Sequence, residues 1–277
     1  MTPPRLPWVG DTLLDYGEVQ VELCTPPALY ERQSTPGHFI LGKSRGMVEA
    51  LARALGAGPV DRIVDVGVYK GGSIVLLYEA WRPQRLVGID INPAMPPGLP
   101  EYCLHPSRKD AIGIYLGVNQ VDHARLDEIC RAEFDAPIDL VIDDASHYYG
   151  ETRETFRALF PRLRSGGLYV IEDWGWAHWP GEFWQAQRGG EGFRDKPPLS
   201  NLLIELMLLC ASAPGLVRRV SFDPWVIYVE RGADAMQPGF EPREVYLNRG
   251  DPVRLLGERP AAASLRYEGA SFTVRMP

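Results

Sequence analysis

Asp139-Leu140-Val141-Ile142-Asp143-Asp144-Ala145-Ser146-His147 and Gly166-Gly167-Leu168-Tyr169-Val170-Ile171-Glu172-Asp173 are the stretches on which the fold turns. The first is an apolar run that stops at two acids. Residues 151–163 have the pattern of a helix, and Ser165-Gly166-Gly167 supplies a turn. The second apolar run then stops at Glu172-Asp173-Trp174. Two short apolar runs around one helix read as a βαβ unit of a parallel sheet. Ligands of such sheets sit beyond the carboxyl ends of the strands, where both acidic clusters fall. Neighbouring strands lie about 5 Å apart, so pairing of these two would let Asp144, Glu172 and Asp173 converge on one cation. Acids at strand ends also occur simply because those ends are solvated. Matched clusters at two tips, one with a His three residues on, favour a site.

Outward from this unit, the composition sets bounds. The chain has 277 residues, is 45% hydrophobic and carries a net charge of −7. That suffices for one large α/β domain, or one domain plus an appendage. The acidic balance, with no long Lys/Arg cluster, argues against nucleic acid as a partner. The most apolar helix-like run, 202–213, contains Glu205 and is too short to span a bilayer. Met1-Thr2-Pro3-Pro4-Arg5 lacks the apolar core of a signal peptide. Cys24, Cys103, Cys130 and Cys210 are scattered without CxxC spacing, so they read as reduced thiols of a cytoplasmic protein and not as a metal site.

Residues 1–36 are rich in Pro and polar groups and are expected to form an arm or cap. Gly37-His38-Phe39-Ile40-Leu41-Gly42-Lys43-Ser44 matches the P-loop pattern letter for letter. A P-loop needs a buried strand directly before it, and Glu31-Arg32-Gln33-Ser34-Thr35-Pro36 is polar. The match therefore reads as coincidence, a turn leading into an amphipathic helix over 43–55. Arg62-Ile63-Val64-Asp65-Val66-Gly67 is the first confident strand. It runs into Val68-Tyr69-Lys70-Gly71-Gly72-Ser73, a Gly turn that lets backbone approach a ligand at a helix N-terminus. Arg85-Leu86-Val87-Gly88-Ile89-Asp90 is the second strand, and its terminal acid suits a ribose diol. Together these indicate a nucleoside ligand.

A Pro-rich connection over 92–110 leads to a third strand over 112–118, with Asn119-Gln120-Val121-Asp122 in reach of the nucleoside, and a helix over 123–134. After the central unit, Trp174, Trp176, Trp179, Phe183 and Trp184 crowd together. They read as a packed surface loop or as an aromatic acceptor pocket beside the acidic tips. Residues 185–198 are polar and Gly-rich. A helix over 199–211 and a hairpin of 217–222 with 225–230 finish the sheet antiparallel. The expected division is 1–36, a nucleoside-binding domain over 37–231, and a C-terminal extension over 232–277. In the extension, pieces such as 271–275 read as an edge strand or a subunit contact.

This order of elements resembles a class I S-adenosylmethionine-dependent methyltransferase, a doubly wound Rossmann-like α/β fold. The resemblance sharpens at Val68-Tyr69-Lys70-Gly71-Gly72-Ser73, at Gln120-x-Asp122, at Ile142-Asp143-Asp144-Ala145-Ser146-His147 and at Gly166 to Asp173. There it looks like the metal-dependent sugar O-methyltransferases of macrolide pathways and the related cephalosporin hydroxylase-like group, over roughly residues 37–230. It implies Mg²⁺ ligands at Asp144, Glu172 and Asp173, with His147 as base. It implies an S-adenosylmethionine site at Asp65, Gly67, Tyr69, Gly71, Ser73, Asp90, Gln120, Asp122 and Asp143. Ala145 stands where the family commonly has Gly, and the acceptor region, 174–198, does not align. Trp174, Trp176, Trp179 and Trp184 are the expected acceptor contacts.

The chemistry is consistent with that implication. A sulfonium methyl is already electrophilic, so the acceptor hydroxyl, with a pKa of roughly 16, must be activated, and a bound metal lowers such a pKa by several units. Carboxylates alone make a hard oxygen site that favours Mg²⁺ over zinc. The expectation is a cytoplasmic, homo-oligomeric O-methyltransferase acting on a small sugar or polyhydroxylated ring with vicinal oxygens. The alternatives are a P-loop nucleotide hydrolase using Gly37 to Ser44 and a non-catalytic nucleoside-binding member of the fold.

Overall fold

Each strand of the central unit buries residues on both faces. Ile63, Leu86, Leu140, Ile142, Leu168 and Val170 face one core layer, and Val64, Val87, Val141, Tyr169 and Ile171 face the other. Side chains alternate across a strand, so continuous apolar runs of this kind demand cover on both sides of the sheet. The protein is described by a computed structural model covering residues 4–180, 184 and 196–256, with the backbone of 264–268 and 271–275.

Four short strands come first: β1 (Trp8–Val9), β2 (Leu13–Asp15), β3 (Gln20–Leu23) and β4 (His38–Leu41). They form a small sheet in that order, antiparallel until β4 joins β3 in parallel. The main sheet follows, from β5 (Arg62–Val66), β6 (Arg85–Asp90), β7 (Ile112–Leu116), β8 (Ile138–Asp143), β9 (Leu163–Glu172), β10 (Val217–Phe222) and β11 (Val226–Arg231). Its spatial order is β10-β11-β9-β8-β5-β6-β7, with β5 to β9 parallel and the β10–β11 hairpin antiparallel. The doubly wound fold with a terminal hairpin is thus as expected. The order reverses between β5 and β8, and a crevice at such a switch point is where ligands bind.

Helices Arg45–Leu55 and Gly72–Trp81 cover one face. Helices His123–Glu133, Tyr149–Leu159 and Ser200–Ser212 cover the other. None among the described residues is long and apolar enough to cross a membrane.

Two segments gain detail. Within the expected arm or cap, Leu14, Val21 and Leu23 are buried in the first core layer with Phe39 and Leu41, and the small sheet runs across position 36 into β4. Strands of two to four residues carry too little pattern to show a period. Likewise 232–256 straps the second layer. Arg157 donates from Nε to the Phe240 carbonyl at 2.8 Å, Arg153 pairs with Glu241, and Leu256 and Asn201 exchange two hydrogen bonds. Residues 271–275 pair with 264–268 as a separate two-stranded sheet, not as an edge of the main one.

Candidate active site

Register brings the acidic tips together. β8 pairs with β9 through Ile142 opposite Val170 and Asp143 opposite Ile171, so the next residues, Asp144 just past β8 and Glu172 at the end of β9, lie side by side. On the other flank Asp143 faces Val66, and the Asp144 N–H donates to the Val66 carbonyl at 2.8 Å. Gly67 is required here. Its φ is +107°, and a Cβ would lie 2.2 Å from the Asp144 carbonyl oxygen. Three non-glycine residues at the tips also have left-handed backbones: Tyr69, His147 and Asp173, with φ of 46°, 58° and 55°. Such conformations cost about 1–3 kcal/mol each and cluster at functional sites.

The donor atoms of Asp144, His147 and Asp173 all lie within 4.8 Å of one another. Glu172, the third expected metal ligand, sits beside them but outside that set. Its carboxylate is buried and accepts from the Lys43 ammonium, which also donates to Asp144 Oδ2 at 2.7 Å. Burial pushes the Glu172 and Asp173 carboxyls above their usual range, Asp144 adds to this, and Lys43 works against it. Burial also opposes the charge of Lys43, but Asp144 and Glu172 more than offset that and hold its ammonium protonated. His147 is oriented twice. Its Nδ1 lies 3.4 Å from the Glu172 carbonyl oxygen, and its ring packs on Trp176 with centroids 4.3 Å apart.

Lys43 is the residue that sequence reasoning missed. The P-loop pattern does not form a phosphate cradle, because its centre is β4 itself. Ser44 caps helix Arg45–Leu55 by accepting from the Met47 N–H, and Lys43 turns into the carboxylates. The warning in the sequence was a lone Lys directly after the apolar run Phe39-Ile40-Leu41-Gly42.

The expected nucleoside residues divide. Asp90 at the β6 tip accepts from the Tyr69 N–H at 2.8 Å, fixing the Gly turn that runs through Gly71 to helix Gly72–Trp81. Asp65 is fully buried, with Ser73 Oγ donating to Oδ2 at 2.6 Å. Asp143 is held by the Tyr169 hydroxyl at 3.1 Å. Burial raises both carboxyls to about 7, and each keeps one buried oxygen without a partner among the described residues. Two such atoms flanking the switch point suit a ligand's donors. Gln120 and Asp122 serve structure in this state. Gln120 donates to Thr155 Oγ1, and Asp122 caps helix His123–Glu133 through the Arg125 N–H.

The aromatic residues also divide. Trp176, Trp179 and Trp184 form one cluster with centroid separations of 5.2–6.3 Å, extended by Trp225 at 4.8 Å from Trp179. Trp225, on the hairpin turn, had no sequence signal beyond its type. Trp174 turns away, donating to the Asp223 carbonyl and packing edge-on to Phe222. Phe183 and residues 185–195 lie outside the described residues.

Comparison with known proteins agrees with this geometry. A family model described as a methyltransferase domain matches residues 64–174. The mycinamicin VI 2''-O-methyltransferase of Micromonospora griseorubida is 37% identical over 128 residues, 43% of this chain and 29% of that protein. The 8-demethyl-8-(2-methoxy-alpha-L-rhamnosyl)-tetracenomycin-C 3'-O-methyltransferase of Streptomyces olivaceus is 31% identical over 202 residues, 66% of this chain and 48% of that protein. A solved structure of the MycE methyltransferase from the mycinamycin biosynthetic pathway, in complex with Mg and SAH, superposes with a TM-score of 0.50 at 25% identity, covering 68% of this chain and 48% of that one. The chain thus spans less than half the length of these relatives. Fold, strand-tip acids and the methyltransferase-domain match over residues 64–174 make the chain similar to class I S-adenosylmethionine-dependent methyltransferases. Within that class the chain resembles the macrolide-sugar O-methyltransferases of antibiotic pathways.

Proposed function

We propose that the protein is a Mg²⁺-dependent O-methyltransferase that moves the methyl of S-adenosylmethionine to a hydroxyl of a glycosylated or polyhydroxylated natural product. The observation that carries this reading is the meeting of Asp144, His147 and Asp173 within 4.8 Å, beside the Gly turn after β5. Relatives named as sugar O-methyltransferases, and one named as a complex with Mg and SAH, support it.

The donor set fits the ion. Asp144 and Asp173 would hold it, with Glu172 alongside, and carboxylate oxygens suit a hard cation. When bound, the ion lowers the pKa of an acceptor hydroxyl. The chain does the rest. His147, placed by the Glu172 carbonyl and by Trp176, takes the hydroxyl proton, a role worth about 10²–10⁴ in rate. The Gly turn and Asp90, with Asp65, Ser73 and Asp143 nearby, would hold the methyl donor so that methyl and hydroxyl could meet in line. Trp176, Trp179, Trp184 and Trp225 offer flat apolar surface to a ring.

Mg²⁺ prefers six oxygens, so Asp144 and Asp173, with Glu172 alongside, would leave room for two from the acceptor. A substrate with vicinal oxygens, such as a deoxysugar on a larger scaffold, is therefore preferred over an isolated phenol. A matched pair of acceptors tests this, one with the adjacent hydroxyl and one without. Losing that oxygen should lower kcat/KM at least tenfold, about 1.4 kcal/mol or more. Equal values would show that one acceptor oxygen suffices, and the chelate reading would be wrong.

A further inference from the structure

Lys43 is the one part of the acidic centre that neither the metal nor the proton-transfer role explains. It comes from the small N-terminal sheet, 101 residues from Asp144 and 129 from Glu172 in sequence. It is 5% exposed, and no other ion pair among the described residues involves Asp144, Glu172 or Asp173. Its carrier strand is fixed tightly. A Cβ on Gly72 would lie 2.3 Å from the Ile40 carbonyl oxygen, and the Ile40 N–H donates to Ser34 Oγ. The ammonium is thus delivered by a rigid element and cannot be a solvated side chain that wandered in.

We infer that Lys43 is a positioning residue that acts as a built-in competitor for the metal. It holds Asp144 and Glu172 in place while the site is empty and keeps the affinity for Mg²⁺ moderate. This deepens the Mg²⁺ reading and rests on it. Three carboxylates against one ammonium leave two negative charges, which one divalent cation neutralises. An ion held by Asp144 and Asp173 would share Asp144 with the ammonium, and the two cations would repel each other across a buried, weakly screened gap. A lysine that only braced the fold would have the opposite effect on binding. Its removal would scatter the ligands and weaken Mg²⁺. A competitor's removal strengthens it, because the repulsion at such short range exceeds what two hydrogen bonds contribute to ligand order.

The experiment is titration calorimetry with Mg²⁺ alone on the full chain, comparing wild type, Lys43→Met and Lys43→Arg. Lys43→Met should bind Mg²⁺ at least tenfold more tightly than wild type, and Lys43→Arg, which keeps the charge, should stay within about threefold. An equal or weaker Kd for Lys43→Met overturns the inference while leaving the metal site standing. Absence of Mg²⁺ binding in every protein removes the metal reading and this one together. Should Lys43→Met not fold, Lys43→Met/Glu172→Gln is compared with Glu172→Gln, since the pair is then removed as a unit. The same tenfold tightening is expected, and its absence has the same consequence.

Discussion

His147 is both strained and doubly positioned, with φ of 58°, a contact to the Glu172 carbonyl and a ring packed on Trp176. A base acts mainly in the transition state. His147→Ala should therefore lower kcat by about 10²–10⁴ while leaving the affinities for S-adenosylmethionine and Mg²⁺ near wild type. Single-turnover methyl transfer beside titration calorimetry separates the two effects, and wild-type turnover would make His147 structural. Asp65 makes a prediction about pH. Burial raises its carboxyl to about 7 in the folded protein, against an ordinary value of 3.8. Between those values the folded state keeps a proton that the unfolded state has lost, so stability falls as pH rises from about 4 to 7. The full linkage is on the order of 4 kcal/mol. Asp65→Asn should make this part of the profile shallower in urea unfolding at pH 4, 5.5 and 7, with the slope that remains coming from Asp143 and Glu172, which burial raises in the same direction. A slope unchanged from wild type would mean that Asp65 ionises normally.

At the scale of elements, the site is a product of register. Val66 against Asp143 on one side and Ile171 against Asp143 on the other fix where three strands end. Gly67 lets the β8 tip approach within van der Waals range, so Gly67→Ala must move either the turn or Asp144. It should cost more than about 3 kcal/mol, the scale of a buried clash added to a left-handed backbone, and weaken Mg²⁺ binding too. Denaturant midpoints and calorimetry measure both, and a variant as stable as wild type with normal Mg²⁺ affinity would contradict the described tip geometry. These elements were legible in the sequence where period and punctuation agree. Leu140-Val141-Ile142 and Leu168-Tyr169-Val170-Ile171, each ending at acids, announce buried parallel strands, and Asp223-Pro224 announces the hairpin. The small N-terminal sheet was not legible, since β1 to β4 have two to four residues each. Lys43 and Trp225 were hidden for a related reason: each reaches the site from an element whose docking no local pattern encodes. Gln120 and Asp122, expected near the adenine, have side chains engaged in a helix contact and a helix cap, which no local pattern announces.

For the whole molecule, one switch point collects contributions from distant parts of the chain. The Gly turn after β5 and Asp90 on β6 make the proposed nucleoside side, and Asp144 just past β8, Glu172 at the end of β9 and Asp173 after it make the acidic side. Lys43 arrives from the N-terminal sheet, Trp225 arrives from the hairpin, and 232–256 braces the helices behind β8 and β9. On the proposed reading the metal would serve chemistry and not the fold, because Lys43 already neutralises part of the acidic centre. Chelation should accordingly stop methyl transfer without unfolding the chain. The most direct test of the central claim is transfer of labelled methyl from S-adenosylmethionine to a panel of vicinal-diol glycosides, run with Mg²⁺, in excess EDTA, and in EDTA followed by excess Mg²⁺. The account predicts transfer in the first, at least a hundredfold loss in the second with S-adenosylmethionine binding retained, and recovery in the third. Full transfer in EDTA, or failure to bind S-adenosylmethionine at all, would contradict it.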